Sequence, residues 1–432
     1  MKRTYQIKQE RAIQKFKIAA RDSAQHLQLA LPLPEVLELV SKGLMNLALV
    51  AFMKLAEEMM RWEVGELVGA KNQAQKNRSL HRWGRQAGYC VVDGQKISLE
   101  RPRVRDTRQQ EVPLGSYGLL QRASLMEESV WQKVMHGLTT RGYAEVVREL
   151  KEAYGVEKST VSEHFIEGSR QRLQQLERRP LSKHSFCAIF MDGTYFQKQQ
   201  LIVALGLSLQ GEKMVLGLRQ GATENATVVR QLLEDLQERG IDFEVPRLYV
   251  LDGGKALQAA LRRVAGECAQ IQRCQVHKIR NVVEHLTEEH QSAIRCKMRN
   301  AYAMREYVDA KRALDALLHQ LMHLNPSAAR SLEEGMEETL TVHRLRVPNK
   351  LRTHLASTNI IESAFSTVET ICRNVKHWQG SDQRLRWVAS GLLWAESRWN
   401  KIHHAAEIPV LMKELELAVV KKMPLRRAKA AS

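Results

Sequence analysis

Apolar positions along the chain fall into three regimes. In the first, Leu37, Val40, Leu44, Leu47 and Ala51 recur at steps of three and four. Residues 1–65 therefore read as helix, with an amphipathic face suited to core or dimer packing. Two short runs follow, Gly88–Val92 and Lys96–Glu100, joined by Asp93-Gly94, a dipeptide that suits a tight hairpin turn. Further on, Tyr143, Val146, Val147 and Leu150 mark a helix, Gly155 breaks it, and Ser159–Leu176 begins another. Helix, short glycine-containing turn, helix is the pattern of a helix-turn-helix.

The second regime begins after Arg178-Arg179-Pro180. Cys187–Met191, Leu201–Leu207 and Met214–Leu218 predict three strands, Ala226–Gly240 a helix, Leu248–Leu251 a strand, Lys255–Ala265 a helix and Ile271–Val276 a fifth strand. This order predicts a mixed α/β layer in which the first and fourth strands are neighbours and the fifth lies beside the fourth. The third regime, from His277 to about Arg344, is helical without a strand. Thr358–Cys372, Arg384–Ile402 and Pro409–Lys421 read as further helices, and the chain closes on a basic tail, Lys421–Lys429.

Charge changes the picture more than composition does. The 432 residues carry 66 Lys+Arg against 48 Asp+Glu, a formal +18, which calls for a polyanionic partner, nucleic acid first. No apolar run approaches the ~18–20 residues of a membrane span. The first residues, Met1 to Lys17, place charges where a signal peptide needs an apolar core, so the chain reads as cytosolic. Cys90, Cys187, Cys268, Cys274, Cys296 and Cys372 are too scattered for a disulfide framework and read as thiols. Length suggests about three structural units at roughly 150 residues each.

Two basic clusters are candidates for the nucleic-acid contact. Arg101, Arg103 and Arg105 leave the hairpin at alternate positions, so an extended chain would aim them along one side to track phosphates; a solvated loop is the equal alternative. Lys158, Thr160, Ser162 and His164 open the second helix of the helix-turn-helix pattern. There they would reach phosphate or base edges, or simply belong to a helical hairpin without that role.

Three carboxylates stand out by placement. Asp192 ends the first predicted strand and Asp252 the fourth, where a rigid sheet would hold both side chains together. Two carboxylates that close resist joint ionisation unless a cation lies between them, and hard oxygen donors select Mg²⁺ or Mn²⁺ over zinc. Asp192-Gly193 is equally a turn signal, Asp252 a possible cap for the helix from Lys255, and Asn359 with Glu362 a capping box. Spacing alone does not choose among these.

Four blocks in order do choose: Met191-Asp-Gly-Thr-Tyr195, Leu251-Asp-Gly-Gly-Lys-Ala-Leu257, Arg273-Cys-Gln-Val-His-Lys-Ile-Arg-Asn-Val282 and Ser357-Thr-Asn-Ile-Ile-Glu-Ser-Ala-Phe-Ser366. Together they resemble the DDE transposases of bacterial insertion sequences related to plant Mutator elements. His377-Trp-Gln-Gly380 and Leu385-Arg-Trp-Val388 are similar to one branch of that family. The likeness is strong over about 185–415 and looser over 40–180. It implies an α/β RNase H-like catalytic fold, interrupted by an all-helical insertion at 283–350 and preceded by a mainly helical DNA-binding region. It also implies an acidic triad of Asp192, Asp252 and Glu362, with Cys274 and His277 as the accompanying Cys-x2-His motif. The run Glu369–Lys376 is less basic than in many members, so no DNA contact is assigned to it.

The chemistry expected of such a triad uses two Mg²⁺ ions about 4 Å apart, with Asp192 bridging them. His277 would donate to the scissile phosphate or orient an acidic ligand, and Cys274 would pack the turn. A zinc site on Cys274 and His277 lacks a second ligand pair of the same kind. Expected partners are double-stranded DNA, as terminal inverted repeats and target, and at least a second copy of the chain, in a nucleoid-associated bacterial setting. The rival readings are a non-catalytic DNA-binding protein of transposase ancestry and a non-mobile RNase H-like nuclease.

Overall fold

The computed structural model describes residues 2–23, 32–34, 36–37, 44–70, 79–92, 95–121, 123–139, 153–154, 158–197, 199–221, 226–373, 375, 377–378 and 380–429. They divide into two compact units, Met1–Gly168 and Ser169–Ser432.

The first unit contains α1 (Lys2–Asp22), α2 (Leu44–Val68), β1 (Leu80–Val92), β2 (Gln95–Asp106), β3 (Glu111–Val112), α3 (Gly115–Leu120), α4 (Ala123–Met135), β4 (Ala153–Tyr154) and the start of α5 (Lys158–Arg178). β1 and β2 form an antiparallel ribbon, and β3 and β4 each pair with β2. Ala56, Met60 and Val64 of α2 pack on Cys90, Ile97, Leu99 and Val104 of the ribbon. The buried Glu63 accepts the Gly115 and Ser116 amides at 2.7 and 2.8 Å, satisfying donors that open α3.

Both strands of the ribbon outrun their apolar patterns. Arg101, Arg103 and Arg105 lie inside β2 rather than in a loop beyond it, because Leu80–Ala87 continues the backbone pairing with polar side chains. Hydrogen bonding there depends on a partner strand, which local alternation does not reveal. The helix expected over 143–150, Gly155 and the Asp93-Gly94 turn lie outside the described residues. Ala153 and Tyr154, at the end of that stretch, pair with Ile97 and Lys96 as a short strand. The second expected helix is α5, from Lys158.

The second unit is built on a five-stranded sheet of β5 (Phe186–Phe196), β6 (Gln199–Ser208), β7 (Lys213–Gln220), β8 (Arg247–Leu251) and β9 (Ala269–Arg273), in the order β7-β6-β5-β8-β9. β5–β6 and β6–β7 are antiparallel; β5–β8 and β8–β9 are parallel. The expected adjacencies of first with fourth and fourth with fifth strand are thus present. α6 (Ala226–Glu238) and α7 (Lys255–Ala265) cover one face, against Ile189, Met191, Tyr249 and Leu251. The opposite face, with Ala188, Phe190, Leu248 and Val250, is covered by α14 (Asn349–Leu355), α15 (Asn359–Cys372), α16 (Gly380–Glu396) and α17 (Ile408–Lys429). With both faces buried, the strands read as continuous apolar runs.

The fifth strand ends earlier than expected. Residues 275–276 already belong to α8 (Gln275–Val283), with Cys274 at its N-cap, because the chain turns into helix as it leaves the sheet. From α8 onward come α9 (Glu288–Ala303), α10 (Tyr307–Leu324), α11 (Pro326–Glu333), α12 (Met336–Thr339) and α13 (Thr341–Arg344). Apart from the last, these helices share their own apolar core around Val282, Met298, Leu314 and Leu332.

Candidate active site

Strand alternation decides where the first two carboxylates fall. Met191 of β5 stands opposite Leu251 of β8, so Asp192 and Asp252 come next on neighbouring parallel strands. Ala188 and Phe190, like Leu248 and Val250, face the layer that includes α15. Asp192 and Asp252 continue both series at the period of two, toward the same helix. Asp192 is not at the end of its strand as expected: β5 runs on to Phe196 because β6 keeps pairing with it, Asp192 opposite Val203. Of the two strands beside β5 only β8 stops at this level, and Asp192 is 5% exposed. The turn reading of Asp192-Gly193 is therefore excluded.

Asp252 lies in the loop from β8 to α7. Its Oδ1 accepts the Gly254 amide at 2.9 Å, closing a short side-chain turn, while Gly254 itself occupies the N-cap. Between them Gly253 takes φ +109, and a Cβ there would stand 2.4 Å from the Arg273 Nε. Glycine is required so that this loop can close against the Arg273 side chain at the end of β9.

Glu362 comes from α15, one turn after Thr358, so the two side chains share a face of the helix. Thr358, fully buried, is the N-cap residue but makes no side-chain cap hydrogen bond, and the expected capping box from Asn359 is not formed. The Thr358 hydroxyl turns instead to the Cys274 Sγ at 3.6 Å and to the His277 Nδ1 at 3.4 Å, and its amide donates to the same sulfur at 3.4 Å. The other ring nitrogen, His277 Nε2, lies 3.4 Å from the Glu362 Oε1. One imidazole is thus held at both nitrogens by a single helix. Cys274 is anchored from behind, its amide donating to the Leu251 carbonyl at 2.7 Å.

The residues around this pair face the other way. Gln272 and Gln275 donate to the Thr339 carbonyl at 2.8 and 2.9 Å. Lys278, with no exposed surface, donates from Nζ to the Ser331 and Glu334 carbonyls. Within Gln272–Lys278, Cys274 and His277 therefore serve the carboxylates while Gln272, Gln275 and Lys278 hold the helical block.

Charge follows from this packing. Burial, then the neighbouring Asp252 charge, pushes the Asp192 carboxyl up to about 7, although His277 and a hydrogen bond from Thr358 oppose the rise. His277 is raised to about 9, first by its hydrogen bond to Cys274; burial opposes this, and the charges of Cys274, Asp192 and Glu362 support it. Burial alone would raise the Cys274 thiol, but the hydrogen bond and charge of His277 outweigh it and hold the thiol below its usual value.

Among the described residues no three His, Cys, Asp or Glu side chains are drawn together tightly enough to form a ready-made metal site. The donor chemistry nevertheless fits a hard divalent cation. Asp192 is a buried carboxyl destabilised by a second carboxylate, and a cation between such groups removes that repulsion.

The candidate DNA-contact residues lie in the first unit. Lys158 is exposed, whereas Thr160, Ser162 and His164 are half-buried; Thr160 and His164 share a helical face that Ser162, two residues from each, does not. Burial and then the Lys96 charge hold His164 below its usual value, with Glu163 opposing. Arg101 and Arg103 are both ion-paired to Glu111, at 2.8 Å each. Thr358 is the functional residue that sequence reasoning missed. Its signal was present: it precedes Glu362 by one helical turn.

Over residues 34–401 the chain matches the family described as transposase, Mutator family. It is 24% identical over 373 residues to the transposase for insertion sequence element ISRM5 from Rhizobium meliloti, covering 84% of this chain and 91% of that protein. To the transposase for insertion sequence element IS1201 from Lactobacillus helveticus it is 28% identical over 302 residues, 67% of this chain and 78% of the other. To the transposase for insertion sequence element IST2 from Acidithiobacillus ferrooxidans it is 30% identical over 203 residues, 47% and 67% of the two chains.

Proposed function

Because the chain belongs to the Mutator family of transposases, we propose that it binds the terminal inverted repeats of an insertion sequence, cleaves DNA there and joins the ends to target DNA. The catalytic unit in this reading is an RNase H-like sheet with a helical insertion between Asp252 and Glu362. The observation that carries it is the adjacency of Asp192 and Asp252 at the level where β8 ends, on the face packed by the Glu362 helix.

Asp192, Asp252 and Glu362 would hold two Mg²⁺ ions, or Mn²⁺ in their place, which when bound supply Lewis-acid polarisation of the scissile phosphate. The chain's own contribution is positioning. Sheet and helix hold three carboxylates in place, and no covalent enzyme intermediate is needed. His277 places a cation beside them and either orients Glu362, as its Nε2 does here, or would turn that donor to a non-bridging phosphate oxygen of the scissile strand. Lys158, Thr160, Ser162 and His164, together with Arg101, Arg103 and Arg105, belong to the unit that would hold the repeat. Joining two ends in one event requires at least a homodimer on DNA.

The test uses the full chain, Mg²⁺ and duplexes bearing the inverted repeats that flank its gene. Wild type should cut at the repeat boundary and join the cut end to a second duplex. Asp192→Asn, Asp252→Asn and Glu362→Gln should each abolish both products and leave repeat binding nearly intact. Strand transfer surviving in any of the three would remove that residue from the triad.

A further inference from the structure

The β1–β2 ribbon extends well past the core that anchors it. Near the turn, Cys90, Val91, Ile97 and Leu99 are buried, but the seven residues His81–Ala87 are all exposed. This stretch carries one large apolar side chain, Trp83, 44% exposed. Trp83 lies in an irregularity between Arg82 and Arg85 where the register shifts, next to Gly84 at φ +75 with open space around it. Such a bulge bends a ribbon and re-aims the side chains at it. The Arg105 guanidinium stacks 4.5 Å from the centre of the Trp83 ring, and His81 is the cross-strand partner of Arg105.

Cross-strand pairing and alternation assign one face of the ribbon to His81, Arg101, Arg103 and Arg105, with Glu111 of β3 opposite Arg105. Arg101 and Arg103 are held by Glu111. Among the described residues, Arg105 has a 3.5 Å contact to the Gln109 side chain and its stack. The single carboxylate of Glu111 is shared by the two inner arginines, whereas Arg105, at the outer end of this face, has no ion pair among the described residues. We propose that this outer end, Trp83 and Arg105 with His81, is a duplex-DNA contact in which the ribbon enters the major groove. This rests on the reading that the chain acts on DNA. The charge is complementary to phosphate, and a two-stranded ribbon fits the width of that groove. Stacking on Trp83 fixes the plane of the Arg105 guanidinium, so its fork is pre-organised for a guanine edge or a phosphate.

The test compares full-length wild type with Trp83→Ala, Arg105→Ala and Arg105→Lys on the flanking repeat, a random duplex and a single strand of the same length. Trp83 is exposed and the half-buried Arg105 has no ion pair among the described residues, so thermal melts should change little. Both alanine variants should lose roughly tenfold or more in repeat affinity, and Arg105→Ala should lower the salt dependence by about one ion. Arg105→Lys should restore the salt dependence but not the affinity. Guanine N7 methylation of the repeat should weaken wild type and add nothing to Arg105→Ala. Variants that bind the repeat like wild type would overturn the ribbon contact and leave the transposase reading standing. A loss confined to the single strand would reassign Trp83 to unpaired bases and overturn it equally. If wild type itself holds no duplex, the DNA reading falls and the ribbon contact with it.

Discussion

His277 and Glu362 lie 3.4 Å apart, joining the helix that follows the last strand to the helix that follows the long helical block. About 80 residues of chain separate them, yet the contact is part of a closed set: Thr358 fixes the far side of the imidazole and Cys274 its base. Through this set the third carboxylate is registered against Asp192 in β5 and Asp252 just beyond β8.

Removing the ring should therefore affect chemistry before it affects the fold. In His277→Ala, strand transfer should fall by roughly 10²–10⁴, the range for a lost positioned acid, while repeat binding and thermal melting change little. The histidine is raised to about 9, so its contribution is complete below its ordinary value near 6.5 and is lost as pH rises through about 9. A transfer rate in His277→Ala close to wild type would assign the ring a packing role. Elemental analysis of wild type should find no stoichiometric zinc; one tightly held zinc, lost in Cys274→Ala, would make this a structural metal site.

Thr358 is the hinge of the set and offers a cleaner substitution. Thr358→Val keeps shape and burial but removes the hydroxyl that meets both the Cys274 sulfur and the His277 ring. Two buried polar groups then lose a partner, a cost of about 1–3 kcal/mol. Urea unfolding should register that loss, and transfer should fall further than stability alone accounts for. Thr358→Ser should recover most of the activity. If serine fails where valine fails, the methyl packing and not the hydroxyl is what matters.

Asp192 makes an opposite prediction, a gain in stability on loss of function. Its carboxyl is raised to about 7 by burial and by Asp252, against an unfolded value near 3.8. Between those values the native state binds more protons than the unfolded state, so stability of the metal-free chain falls as pH rises from about 4 to 7. Asp192→Asn cannot titrate. In EDTA at pH 8 it should be more stable than wild type by on the order of 2 kcal/mol, with the advantage shrinking toward pH 4. Equal midpoints at both pH values would show that the Asp192 carboxyl is not raised in the folded chain.

Much of this arrangement was legible in the sequence because strands buried on both faces are apolar throughout. Leu201–Leu207 and Leu248–Leu251 therefore announce themselves, and their order fixes which carboxylates are neighbours. The missed features depend on partners that sequence does not display. β1 and β2 lengthen because polar stretches pair with one another, Asp192 lies inside a strand because β6 outlasts β8, and Thr358 gives up its cap for a sulfur and an imidazole contributed from 84 and 81 residues away. Ser162 was grouped with Thr160 and His164 by adjacency, whereas a helix separates them by face.

The last prediction concerns the residue beside His277. Lys278 is fully buried and its ammonium meets the carbonyls of Ser331 and Glu334 at the end of α11, where Arg273 also donates to Glu334 at 2.9 Å. Helix ends leave such carbonyls without intrahelical donors, so this lysine acts as a C-terminal cap delivered from another helix. Lys278→Met fits the space but offers no donor, and it should destabilise the chain by about 2–4 kcal/mol. Burial, then Arg273, lowers Lys278 to about 8, with Glu334 and Glu338 opposing. Between about 8 and 10.5 the unfolded state binds the extra proton, so this group makes wild-type stability rise with pH over that window. Lys278→Met should lack that component, and its deficit against wild type should widen from pH 8 to pH 10. Because Lys278 touches the helical block and none of the three carboxylates, a preparation that remains folded at low temperature should keep repeat binding. A melt equal to wild type would mean that the two carbonyls find water instead, and that Gln272, Gln275, Arg273 and the other contacts hold the block to the sheet without Lys278.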